Sequence, residues 1–170
     1  MHKVEKFSHK DDLLSRVLVK KQISFINYMI NHPIEENCMA LKFSDESELL
    51  VYAILRIKEN NRIVLCSSDY YLHKDYTPYE NPTSLEDTRM YYSLADINKK
   101  VKGRTIRKVI LNEQGDLVMC LDNSMQIQIF IDSIENEIDY YYFYTNKTYY
   151  ALHRVEGKLV RVYGDFEDER

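Results

Sequence analysis

The chain has 170 residues, 45% hydrophobic and 29% charged, with a formal net charge of -4. That make-up belongs to a folded globular chain and excludes disordered, collagen-like and linker-rich classes, while three Cys without a CxxC spacing form no disulfide framework and read as small buried hydrophobes. No window approaches the roughly 18–20 apolar residues of a membrane span, and MHKVEKFSHKDDLL lacks a leader's apolar segment, so a soluble, cytoplasmic protein is expected.

In chain order, Ser8 can cap a short helix in SHKDDLLSRVLVK, with Leu13, Leu14, Val17 and Leu18 apolar. LVKKQI (18–23) then opens a strand, and NYMINHPIEEN (27–37) reads as an insertion before the next one. In LKFSDESELLVYAI (41–54), apolar residues alternate on both sides of an Asp45-Glu46-Ser47 break. Alternation at period two places side chains on opposite faces, and Asp and Ser bond to nearby backbone in turns, so this stretch encodes a hairpin. LRIKENNRIVL (55–65) adds strand, turn and strand. A connector over 73–92 collects the turn formers Pro78, Asn81, Pro82, Thr83 and Ser84.

The pattern then recurs. SLADINKKVKG (93–103) predicts a helix with Ser93 and Asp96 as an N-cap pair, Leu94, Ile97 and Val101 on one face and Gly103 as its stop. VKGRTI (101–106) resembles LVKKQI, and VMCLDNSMQIQIFI (118–131) repeats the first hairpin, with Asp122 over Asp45 and Ser124 over Ser47. IDSIENEIDYY (131–141) echoes the first half's strand-turn-strand, and YYALHRVEGKLVRVYG closes with a hairpin about Glu156 and Gly157 before an acidic tail. The expected fold is α+β and β-predominant, built from two similar halves (1–72 and 93–170), each a short helix plus an antiparallel β-meander, within one compact unit.

No catalytic constellation is present. Four scattered glycines make neither a P-loop nor a dinucleotide fingerprint, and there is no GxSxG elbow. The five His residues have no HExxH or i, i+4 spacing. His-Lys-Asp occurs at His9 and at His73, but the phospholipase D motif it suggests needs those residues spread apart. The expectation is therefore a non-enzyme without metal or cofactor. The basic run KKVKGRTIRK, with Lys99, Lys100, Lys102, Arg104, Arg107 and Lys108, reads as a solvated helix end, with a phosphate-binding patch as the alternative. From Asp132 to Arg170 nine acids face five bases, which disfavours nucleic acid.

The unusual feature is 15 Tyr without any Trp. Tyr offers large contact area, few rotatable bonds and a polar handle, and it is enriched at interface centres. Composition bias in half-buried strands is the competing reading. Tyr clusters flanked by acids supply the candidate protein-binding surface: Asp69, Tyr70, Tyr71, Tyr76, Tyr79, Glu80, Asp139, Tyr140, Tyr142 and Tyr144. In the second cluster, strand alternation places Tyr140, Tyr142 and Tyr144 on one face and Tyr141 with Phe143 on the other.

The segment GRTIRKVILNEQGDLVMCLDNSMQIQIFIDS (103–133) resembles one found in small β-rich bacterial proteins, some of them regarded as immunity proteins of polymorphic or contact-dependent toxin systems. The shared pattern is G-[KR]-x-I-x-x-V, a spacer, G-D-L, and two alternating strands about a D-[NG] turn. Ser124 stands where a turn Gly is commoner, and the first half lacks the G-[KR] start. The resemblance implies a binder that neutralises a toxin domain, with a basic domain as partner, and it carries no catalytic residues. The alternatives are a nucleic-acid-binding module and a β-rich domain with a structural or regulatory role.

Overall fold

Alternation and turn chemistry cut the chain into short antiparallel strands. The computed structural model describes residues 3–8, 13–32, 36–73, 75, 78, 84–131, 138–156 and 158–165. The strands are β1 (Lys3–Lys6), β2 (Ile23–His32), β3 (Glu36–Phe43), β4 (Glu48–Val51), β5 (Ile54–Glu59) and β6 (Arg62–Cys66), then β7 (Ile106–Leu111), β8 (Leu117–Leu121), β9 (Met125–Phe130), β10 (Ile138–Tyr144), β11 (Thr148–Val155) and β12 (Lys158–Asp165). Two helices accompany them, α1 (Leu13–Leu18) and α2 (Arg89–Val101). The fold is α+β with strands predominant.

The turns form as their residues require. At the β3–β4 break, Asp45 accepts from the Ser47 hydroxyl (2.6 Å) and amide (3.2 Å), and Phe43 N–H reaches Ser47 O (2.9 Å). Between β5 and β6, Asn60 and Asn61 both take positive φ (50° and 64°), the conformation of a two-residue hairpin loop that Asn tolerates. The β11–β12 hairpin turns at Glu156 (φ 49°), at the place expected for it.

Two antiparallel sheets result, ordered β1-β12-β11-β10-β4-β3-β2 and β6-β5-β9-β8-β7. Their inner faces feed one buried cluster that holds Leu49, Val51, Tyr141 and Leu152 from the first and Leu55, Ile57, Met119 and Ile127 from the second. The halves do not map onto the sheets. Residues 23–51 supply β2, β3 and β4 to the seven-stranded sheet, and the chain then crosses at Tyr52 and Ala53 to give β5 and β6 to the other. The second half runs the opposite way, giving β7, β8 and β9 to the five-stranded sheet and β10, β11 and β12 to the seven-stranded one. At the joint the bonds are mutual: Lys20 N–H donates to Ile106 O (2.8 Å) and Gly103 N–H to Ile23 O (2.7 Å), while Ile23 N–H donates to Arg104 O (3.0 Å) and Ile106 N–H to Lys21 O (2.9 Å). Lys20 and Gly103 share a left-handed φ, 72° and 76°.

Four local expectations need correction. Within 27–37, Asn27 to His32 belong to β2 and Glu36 and Asn37 to β3 instead of lying between strands, with Asn27 opposite Ala40 and Met29 opposite Cys38. Helix α2 starts at Arg89 rather than at Ser93, inside the expected connector, and its N-cap is the buried Thr88. Met90 joins Leu94, Ile97 and Val101 on the buried face, so packing extends the helix by a turn. Of the three Cys only Cys38 is buried, because Cys66 on the edge strand β6 and Cys120 on β8 alternate with the core residues Leu65, Met119 and Leu121 and stay half-exposed. Finally, the β10 ladder slips between Asp139 and Tyr141, and this bulge turns Tyr140 into the core beside Tyr141.

Candidate binding surface

Both sheets have an outer face, and the two differ in chemistry. On the five-stranded sheet, cross-strand neighbours form the rows Arg56, Gln128, Val118, Ile110 and Lys58, Gln126, Cys120, Lys108. That face is polar and cationic. On the seven-stranded sheet one row runs through every strand: Asn27, Ala40, Leu50, Tyr142, Ala151, Val162 and Val4. Five of these seven are aliphatic, and Tyr142 stands at the middle. The helices pack elsewhere, α1 on β7 and α2 on β2 and β6.

Large side chains roof the small ones here. Cys38, Ala40 and Leu50 are buried beneath Met29, Tyr52, Tyr142 and Tyr144. The rings make a connected patch around Tyr142, which meets Tyr52 edge-on (6.0 Å between centroids), stacks with Tyr144 (5.7 Å, 13° between planes) and meets His153 edge-on (5.4 Å). Aromatic pairs at these separations hold one another in place, so the patch is preorganised and loses little side-chain freedom when covered.

A cavity of about 450 Å³ adjoins the patch where the chain crosses between sheets. Tyr52 N–H and Ala53 N–H both donate to Tyr140 O (2.9 and 3.2 Å), which pins the crossing to the β10 bulge. Tyr28, Asn37, Tyr52, Ser67, Ser68 and Tyr71 line the cavity, so Tyr52 belongs to both patch and cavity. Burial pushes the Tyr28 hydroxyl well above the ordinary range, with the neighbouring Tyr71 and Tyr70 adding to the effect and a bond to Asn37 opposing it.

The candidate residues divide. Tyr142 and Tyr144 lie on the patch, and Tyr71, 52% exposed, stands at the cavity. Tyr52 links these two clusters from distant sequence. Tyr70 does not belong to the surface: it is 4% exposed and stacks on Tyr28 at 4.6 Å. Tyr140 is buried by the bulge, its hydroxyl accepting from Arg154 Nε at 2.9 Å. Asp69 accepts from Cys66 N–H (3.0 Å) and so closes the 3-10 turn Ser67–Tyr71. Asp139 falls within β10, but its side chain lies outside the described residues, as do Tyr76, Tyr79 and Glu80.

Tyr52 escaped the sequence reading, although the phase of its own strand points to it. Leu49 and Val51 face the core, so Leu50 and Tyr52 face out. In the basic run, Lys99 pairs with Asp96 (3.0 Å), Lys100 with Glu59 (2.6 Å) and Arg107 with Asp122 (3.9 Å). Among the described residues no group of three or more His, Cys, Asp or Glu is placed to hold a metal ion, and no helix is long and apolar enough to cross a membrane. Comparison with known proteins returned no match to a family model, a curated protein or a solved structure.

Proposed function

We propose that this chain is a non-enzymatic, protein-binding module of the immunity type, which acts in the bacterial cytoplasm by covering a toxin domain. The observation that carries the reading is the connected ring patch on the outer face of the seven-stranded sheet, centred on Tyr142 and set in an aliphatic row. A binder of this kind needs no chemistry of its own. It needs rigid aromatic anchors ringed by near-neutral contacts that exclude water. The net charge of -4 favours a basic partner by steering its approach. Nucleic-acid binding through residues 99–108 is the weaker reading, since three of those six cations are already paired with acids.

The test is co-expression with toxin domains encoded by neighbouring genes, followed by gel filtration of the pair. Protection and a stoichiometric complex are expected. Tyr142→Ala should weaken that complex by on the order of 2 kcal/mol, about thirtyfold, whereas Lys58→Ala on the opposite sheet should leave it within about threefold. Absence of both protection and complex with every such domain would refute the proposal, and equal sensitivity to the two substitutions would refute the assigned face.

A further inference from the structure

The cavity beside the patch has a chemistry of its own. Tyr28, Tyr52 and Tyr71 line it among smaller apolar side chains such as Met39, Val51 and Ile54, and its hydroxyl and carboxamide groups belong to those Tyr, Ser67, Ser68 and Asn37. Among the described residues, no Lys, Arg, Asp or Glu lines it. An anion would find no counter-charge there and would meet the negative faces of the rings. An apolar group would match the Met39, Val51 and Ile54 part of the lining but would make no use of its hydroxyl and carboxamide groups. A cation with several N–H donors is served twice, by ring faces through cation–π attraction and by oxygens that accept. Next to Ser68, the Asp69 carboxylate adds negative potential from the same 3-10 turn. At about 450 Å³, the space holds a long side chain with accompanying water.

We propose that this cavity accepts a basic side chain, lysine or arginine, presented by the protein partner. The source of that side chain rests on the protein-binding reading above; the chemistry of the cavity stands apart from it. Tyr52 couples the two features, because its ring contacts Tyr142 on the patch and also forms a cavity wall. A partner lying on the patch would thus have a cationic anchor directly beside its aromatic contacts. Arginine suits the site best, since its planar guanidinium can stack on a ring while its edge donates to hydroxyls.

The experiment uses the full chain with carbon-13-labelled tyrosine rings, titrated in separate runs with N-acetyl-arginine methylamide, its lysine counterpart with a free ammonium group, and N-acetyl-glutamate methylamide. Saturable shifts at Tyr28, Tyr52 and Tyr71 are expected with the two cations and absent with the glutamate derivative. Tyr71→Ala removes an exposed ring, so the fold should survive; it should weaken the arginine response by about tenfold, while Tyr71→Phe keeps most of it. Silence of these three residues at millimolar arginine derivative, an equal response to glutamate, or indifference to Tyr71→Ala would each overturn the proposal. If the arginine probe fails while a partner complex is still lost on Tyr142→Ala, the cavity inference falls and the protein-binding reading stands. If the probe binds but no neighbouring toxin domain forms a complex, the reverse holds.

Discussion

Asn98 holds an edge strand to a helix. From α2, its Oδ1 accepts the Ile26 amide proton (2.7 Å) and its Nδ2 donates to the Ile26 carbonyl (2.8 Å). Among the described residues β2 is the last strand of the seven-stranded sheet, paired with β3 on one side, and at Ile26 no strand lies on the other, so these two peptide groups have no ladder partner. Replacing Asn98 with Ala removes two bonds each worth about 1 kcal/mol net, and leaves a part-buried donor and acceptor whose desolvation adds to the loss. A destabilisation of about 2–4 kcal/mol is expected in urea titrations, with an unchanged slope against denaturant. Asn98→Asp refines the argument. One carboxylate oxygen can still accept from the Ile26 amide, but the other faces the carbonyl with no proton to donate unless the acid is protonated. The folded state therefore raises the pKa of this Asp, and its penalty should shrink as pH falls from 7 to 4 and grow on return. A loss under about 0.5 kcal/mol for Asn98→Ala would refute the clamp. So would an Asp variant whose cost is the same at both pH values.

The two glycines with described positive φ should separate in thermal melts. An Ala side chain at Gly115 (φ 91°) would sit 2.9 Å from Leu152 Cδ2, 3.2 Å from Ile131 Cγ1 and 3.3 Å from Leu159 Cδ1, so strain and overpacking should together cost about 2–4 kcal/mol. At Gly103 (φ 76°) nothing lies within 4 Å, and Gly103→Ala should cost only about 1 kcal/mol of backbone strain; equal costs would contradict the packing at Gly115. Burial alone would raise the Asp45 carboxyl, but the Lys21 ammonium and the Ser47 hydroxyl and amide override it and hold the group at about 2, below the ordinary 3.8. A lowered carboxyl pKa stabilises the fold above the ordinary value and is lost as pH falls toward 2, so Lys21→Met should flatten the stability–pH curve between about 4 and 2, and an unaltered acid limb would rule out this pairing.

Much of the surface was legible, though only in part. Tyr142 and Tyr144 followed from strand alternation, because side-chain direction in a regular strand is a local property. Tyr140 broke the rule because a bulge inserts one residue and resets the phase, and nothing in DYYYFY marks where the ladder slips. Tyr70 was misread for a related reason. The 3-10 turn after β6 rotates Tyr70 onto Tyr28, a contact decided by how the turn packs.

The sequence by itself determined the strand-rich class, the hairpins at Asp45–Ser47, at Asn60–Asn61 and at Glu156, and the apolar face of α2 around Leu94, Ile97 and Val101. Each depends on residues within a few positions of one another, where backbone preference and side-chain period act directly. Only the tertiary structure decided that the chain changes sheets at Tyr52–Ala53, that each half feeds both sheets, and that Tyr52, in contact with Tyr142, lines the same cavity as Tyr71. Those outcomes rest on pairings such as β4 with β10 and β5 with β9, between strands far apart in the chain. Their free energy comes from burying the two inner faces against each other, a quantity that no local window contains.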